Sequence, residues 1–131
     1  WHAMAIVAIV AVLAIIEYLV FAMLVGRARG LYGVQAPATS GHEMFDRYYR
    51  VQQNTVEQLI AFLPGLWIFA NYVSPLWAAL VGVIFIVGRV VYLIGYTKDP
   101  ESRGAGFVLS FIPTVILVVG GLIGLIVDLL S

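Results

Sequence analysis

Arg50, Asn54 and Glu57 stand at i, i+4 and i+7 within the run 46–57. On a helix that spacing lines up a guanidinium, an amide and a carboxylate along one stripe. The stripe leads directly into an apolar run. A charge at mid-bilayer costs at least ~2.5–3.5 kcal/mol on insertion scales, so a spanning helix excludes such groups. Three convergent polar groups at a membrane boundary form a candidate ligand cradle. The alternative is a solvated juxtamembrane turn.

A second set follows in Arg89, Tyr92 and Tyr96, at i, i+3 and i+7 on one helical face. Arg103 comes beyond the turn 98–101. Tyrosines alone would be ordinary interfacial-belt residues, and Arg103 alone an ordinary loop charge. Their weight comes from sharing a membrane side with the first set. Together the two sets offer cations for carboxylates, a carboxylate for an amine, and hydroxyls for polar edges. That inventory suits a zwitterionic peptide with more than one carboxylate.

The elements that position these groups are membrane helices. Hydrophobic residues make up 63% of the 131 and charged residues 11%, with a mean hydropathy of +1.03. A soluble domain carries about 25% charge. The net charge of zero argues against a nucleic-acid partner. No cysteine is present, which excludes disulfides and a protein thiol nucleophile, and two distant histidines, His2 and His42, suggest no metal site. Met4 is expected to be the natural first residue, so Trp1, His2 and Ala3 are set aside. The first apolar run is too long for a cleavable signal peptide and lacks a basic leader.

The runs 4–25 and 75–94 carry one charge each, Glu17 and Arg89, and 107–127 carries none. Each is long enough to cross a ~30 Å hydrocarbon core. The apolar run 59–73 is short, but residues 40–43 have capping-box spacing. A helix from about 43 to 72 is therefore expected, roughly 45 Å long at 1.5 Å per residue, with its first half in the interface or in water. The expected spans are about 4–25, 56–73, 75–94 and 107–127 in a single domain 1–131. Pro64 and Pro113 are candidate kinks. Gly120, Gly121 and Gly124 would let helices approach closely.

Loop 26–42, the polar start of the second helix and loop 95–106 then share one side, with Arg27, Arg29, Arg47, Arg50, Lys98 and Arg103. The other side has no Lys or Arg. The positive-inside rule makes the charged side cytoplasmic and puts both termini opposite. Short connections favour an all-α, integral membrane four-helix up-down bundle.

The chain resembles the membrane-associated proteins in eicosanoid and glutathione metabolism (MAPEG), which include microsomal glutathione transferases and leukotriene-C synthase. The resemblance covers nearly the whole chain. Arg50, Asn54 and Glu57 look like the family's Arg-x-x-x-Asn-x-x-Glu signature, and Tyr92, Tyr96 and Arg103 keep the leukotriene-C synthase spacing. Arg29 falls where that branch has a glutathione-contacting arginine. The wording of 45–50 and 62–65 looks bacterial, which implies a bacterial inner membrane. The resemblance implies a homotrimer with glutathione, as co-substrate, bound between neighbouring subunits on the cytoplasmic side. Arg29 and Arg50 would meet its carboxylates. Asn54 and Glu57 would hold its polar groups and amine, with Gln52 nearby, and Tyr92 and Tyr96 would pack against it.

Arg103 would lie against the sulfur as the catalytic residue. A thiol has a pKa near ~8.5 and only the thiolate is the nucleophile, so an adjacent permanent cation favours the reactive form. The implied activity is glutathione transfer to lipophilic electrophiles, or glutathione-dependent reduction of lipid hydroperoxides, with no metal. Two positions depart from leukotriene-C synthase. Gln58 replaces a tyrosine, and Gly30 replaces a second arginine linked to epoxide opening.

Two other readings stay open. Glu17, mid-span, is a functional-site candidate by depth alone. It would suit a small four-helix proton-coupled multidrug transporter, or else pair with Arg89 or another polar group. A non-catalytic, lipid-binding member of the same family is the third reading.

Overall fold

The computed structural model describes residues 2–131. It has four helices: α1 (His2–Tyr32), α2 (Glu43–Tyr72), α3 (Pro75–Lys98) and α4 (Gly104–Leu130), with a 3-10 turn, Pro100–Arg103, between the last two. Trp1 lies outside the described residues, while His2 and Ala3 are helical.

Helix α1 continues past the loop start expected at residue 26, so Arg27 and Arg29 are helical. Nothing in the sequence breaks the helix until Gly33, whose φ of 66° is left-handed. Val34 N then bonds back to Arg29 O at 3.1 Å, closing the terminus. The second loop is shorter than expected for the same reason, since α3 persists until Asp99-Pro100.

Helix α2 covers the expected range, but its cap is different. His42 is the N-cap, its Nδ1 accepting from Met44 N at 3.0 Å. Ser40 Oγ instead donates to Asp46 Oδ2, and Gly41 N to Asp46 Oδ1. His42 takes over the acceptor role that the spacing suggested for Ser40, and Asp46 reaches back to the residues before the helix. At the start of α3, Ser74 Oγ accepts from Trp77 N, with Pro75 in the first turn.

The buried residues of α1 are Val7, Val10, Ala14, Glu17, Phe21, Val25 and Ala28, a single stripe. Its other faces are apolar and exposed, as at Met23 (73%). A helix that is apolar all round needs lipid or protein on every side. Three helices, His2–Tyr32, Pro75–Lys98 and the stretch Pro100–Leu130, are long and apolar enough to cross a membrane. Helix α2 has the length, but its first half carries Glu43, Asp46, Arg47, Arg50 and Glu57.

Helix α2 packs against all three others, and α3 packs on α1 and α4. The core centres on Phe62 and Phe85, whose rings stack at 3.9 Å. Because lipid tails are as apolar as the core, it is the close packing of such rings that holds the helices together. In α4, Ser110 Oγ and Thr114 Oγ1 donate back to Gly106 O and Ser110 O, so their hydroxyls are satisfied within the apolar layer. Pro64 and Pro113 sit inside continuous helices.

Helices α3 and α4 meet backbone to backbone. A Cβ at Gly106 would collide with the Tyr92 backbone, so any side chain there would push the two helices apart. Gly124 approaches Tyr72 O, and Gly120 and Gly121 face Phe69 and Ile68. These last glycines serve packing on α2 within one subunit.

Candidate functional site

Arg50 and Glu57 are exposed on α2 and Asn54 is half-buried between them. The two charges are ~10 Å apart along the axis, two turns, so they cannot pair with each other. Neither is hydrogen-bonded or ion-paired to another described residue. Asn54 is tied inward, its Oδ1 accepting from Arg89 Nη1 at 2.8 Å. Arginine can only donate, so this bond fixes the amide's orientation and leaves the Asn54 NH2 free to donate outward. The stripe thus presents cation, donor and anion in order.

Arg89 is fully buried. Its guanidinium lies 4.3 Å from the Tyr92 ring centroid, a cation–π contact. Its Nε and Nη2 have no hydrogen-bond partner among the described residues. Glu17 of α1 is also buried, at 9% exposure, and both its oxygens lack a partner. No hydrogen bond joins the two side chains.

Tyr92 is buried and Tyr96 half-buried, with ring centroids 5.6 Å apart. Arg50 and Arg103 both lie within electrostatic range of the Tyr92 phenol. Arg103 ends the 3-10 turn and is exposed, with Nη1 donating to Pro100 O at 2.7 Å. The chain therefore gathers Arg50, Asn54, Tyr92, Tyr96 and Arg103, with Arg89 behind them.

Arg29 and Gln52 are placed differently. Arg29 Nη1 donates to Ala38 O at 2.7 Å and its guanidinium covers the Phe45 ring at 4.9 Å. It pins loop 33–42 onto the cluster of Val25, Ala28, Val34 and Phe45. Gln52 lies on the opposite side of α2 from the stripe, roughly 140–160° away. It faces α1, where its Nε2 is 3.4 Å from Tyr18 Oη. A recess of about 490 Å³ opens beside Tyr96, lined also by Ser40, His42, Asp46, Arg47 and Pro100.

Arg47 is the functional candidate that the sequence reading missed. Its Nη1 donates to Thr97 O (3.0 Å) and Lys98 O (3.2 Å), the last carbonyls of α3, and its Nη2 pairs with Glu43. The i, i+4 spacing of Glu43 and Arg47 was legible, but the reach to α3 was not.

Residues 7–123 match the sequence profile of the MAPEG family. The chain belongs to the MAPEG family. It is an integral membrane protein. An uncharacterized protein of Synechocystis sp. is 49% identical over 119 residues, covering 91% of this chain and 87% of that one. Human microsomal glutathione S-transferase 2 is 36% identical, covering 90% of this MAPEG chain and 80% of its own length. Leukotriene C4 synthase of Bos taurus is 31% identical, covering 96% and 84%.

Proposed function

We propose that this MAPEG chain is a membrane-bound glutathione transferase acting on lipophilic electrophiles. The reading rests on one observation above the others. Arg50 and Glu57 are opposite charges left without partners on one helical stripe, with a pre-oriented Asn54 between them, in a chain similar to microsomal glutathione S-transferase 2. Glutathione carries two carboxylates and an α-amine, which these groups and Arg29 would match. Tyr92 and Tyr96 would pack and hydrogen-bond the peptide, and Gln52 would meet it from a neighbouring subunit. Arg103 would sit beside the sulfur.

In the reaction, the bound thiol releases its proton to water and Arg103 holds the thiolate. The sulfur lone pair forms a bond to the electrophilic carbon. The leaving group departs with the electron pair of the bond that breaks, or an epoxide oxygen takes a proton after ring opening. With a hydroperoxide, the thiolate attacks the outer oxygen and the alcohol leaves. A second glutathione then forms the disulfide and water. Membership of the family favours this reading over proton-coupled export through Glu17.

The test is purified protein in detergent with glutathione and a panel of chlorodinitrobenzene and lipid hydroperoxides. Saturable turnover with at least one class is expected. Glutathione binding with no turnover across the panel would identify the non-catalytic, lipid-binding alternative. No glutathione binding at all would overturn the reading.

The same reading places the site on the cytoplasmic side of a bacterial inner membrane, in a homotrimer with glutathione between subunits. The six Lys and Arg residues of loops and helix ends motivate this sidedness. A reporter fused at residue 131 is expected to lie outside the cytoplasm, and native mass spectrometry to give three subunits. A cytoplasmic C-terminus, or a stable monomer or dimer, would overturn the respective claim.

A further inference from the structure

The Arg103 turn is held together locally. Asp99 Oδ1 accepts from Glu101 N at 3.1 Å, and Asp99 O accepts from Ser102 N at 2.8 Å. Arg103 itself bonds only within the turn, to Pro100 O. The turn folds back on α3, since a Cβ at Gly95 would sit 2.6 Å from Ser102 O. The turn is thus packed on the α3 terminus on one side and runs directly into α4 on the other. Where that terminus stands relative to α2 helps set where Arg103 stands relative to Arg50, Asn54 and Glu57.

Arg47 makes that connection. It lies on α2 three residues before Arg50, at 17% side-chain exposure. One nitrogen grips the Thr97 and Lys98 carbonyls at the end of α3, and another is held by Glu43 one turn earlier on α2. The guanidinium is therefore fixed from both helices. A cation at a helix C-terminus also matches the dipole there. A planar fork reaches both helices at once, which a lysine ammonium, a point charge with a different reach, does only in part.

We propose that Arg47 is a positioning residue for Arg103: it ties the peptide-binding stripe of α2 to the turn that carries the thiolate-stabilising cation. This rests on the glutathione reading above, and the test keeps the two apart. Thiolate absorbance of bound glutathione is titrated with pH in the wild type and in Arg47→Ala, Arg47→Lys, Glu43→Gln, Arg103→Ala and the Arg47→Ala/Arg103→Ala double variant, alongside kcat and KM. In Arg47→Ala the thiol midpoint is expected to rise by about one unit, and kcat at neutral pH to fall about tenfold. KM for glutathione should stay within about threefold, because the stripe itself is intact. Arg47→Lys should recover part of the shift, and Glu43→Gln should produce a smaller one. The double variant should titrate like Arg103→Ala alone, since Arg47 acts only through Arg103.

An unchanged midpoint in Arg47→Ala overturns the proposal, as does a midpoint in the double variant beyond that of Arg103→Ala. If Arg47→Ala does not fold, an unchanged midpoint in Glu43→Gln overturns it instead. If Arg103→Ala titrates like the wild type, the failure lies with the role given to Arg103. In that case the inference about Arg47 falls with it.

Discussion

In Arg103→Ala, glutathione is expected to stay bound while kcat falls roughly 10²-fold, the scale seen when one donor to a catalytic anion is removed. The peptide is held elsewhere in this reading, by Arg29, Arg50 and Glu57. Arg103 is exposed and donates only through Nη1 within its own turn, so its other donors are free for the sulfur. Without that cation the thiol midpoint should move toward its free value of ~8.5. The reactive fraction at neutral pH then drops, and kcat falls more than affinity does. Raising the pH should recover part of the rate, because hydroxide generates the thiolate unaided. Ultraviolet thiolate absorbance reads this directly. Equal titration of variant and wild type would remove Arg103 as the activator and turn attention to the Tyr92 and Tyr96 hydroxyls.

Arg50→Ala or Glu57→Gln should act on binding. Each change leaves a glutathione charge unpaired in a partly desolvated site. Removing one partner of such a pair costs ~2–5 kcal/mol, which is roughly a 30- to several-thousand-fold loss of affinity. Neither residue has a hydrogen-bond or ion-pair partner within the subunit, so the fold should tolerate both changes. Isothermal calorimetry with glutathione measures the effect. Wild-type affinity in both variants would mean that the stripe is a solvated turn with no ligand.

The sequence carried much of this arrangement and missed specific parts for physical reasons. Helix α2 was legible because polar residues continue on a helical register upstream of a short apolar run. Its capping residue was not, because Asp46 and Ser40 found each other across six positions and left the cap to His42. The buried stripe of α1 was unreadable, since a helix that is apolar on all sides has no contrasting face. Glu17 was the one marker on it. The spacing of Arg50, Asn54 and Glu57 was visible, yet the Arg89–Asn54 bond joins residues 35 positions apart and needed the packed helices. Arg47 read as a loop-side charge for the same reason. Arg29 was placed by position alone, and its grip on Ala38 O depends on a loop conformation that no spacing encodes.

The buried charges Glu17 and Arg89 have a consequence for how the chain is made. They sit on α1 and α3, so they leave the ribosome more than 70 residues apart. Until α3 is synthesised, α1 lies at the membrane with an acid that has no counter-charge. Arg89, in turn, would cost ~2.5–3.5 kcal/mol if α3 entered lipid alone. The cost of Arg89 falls when α3 packs on α2 and Asn54 Oδ1 accepts from it. Burial of Arg89 is therefore coupled to the packing of α3 on α2, where Asn54 waits for it, and burial of Glu17 to the packing of α1 on both.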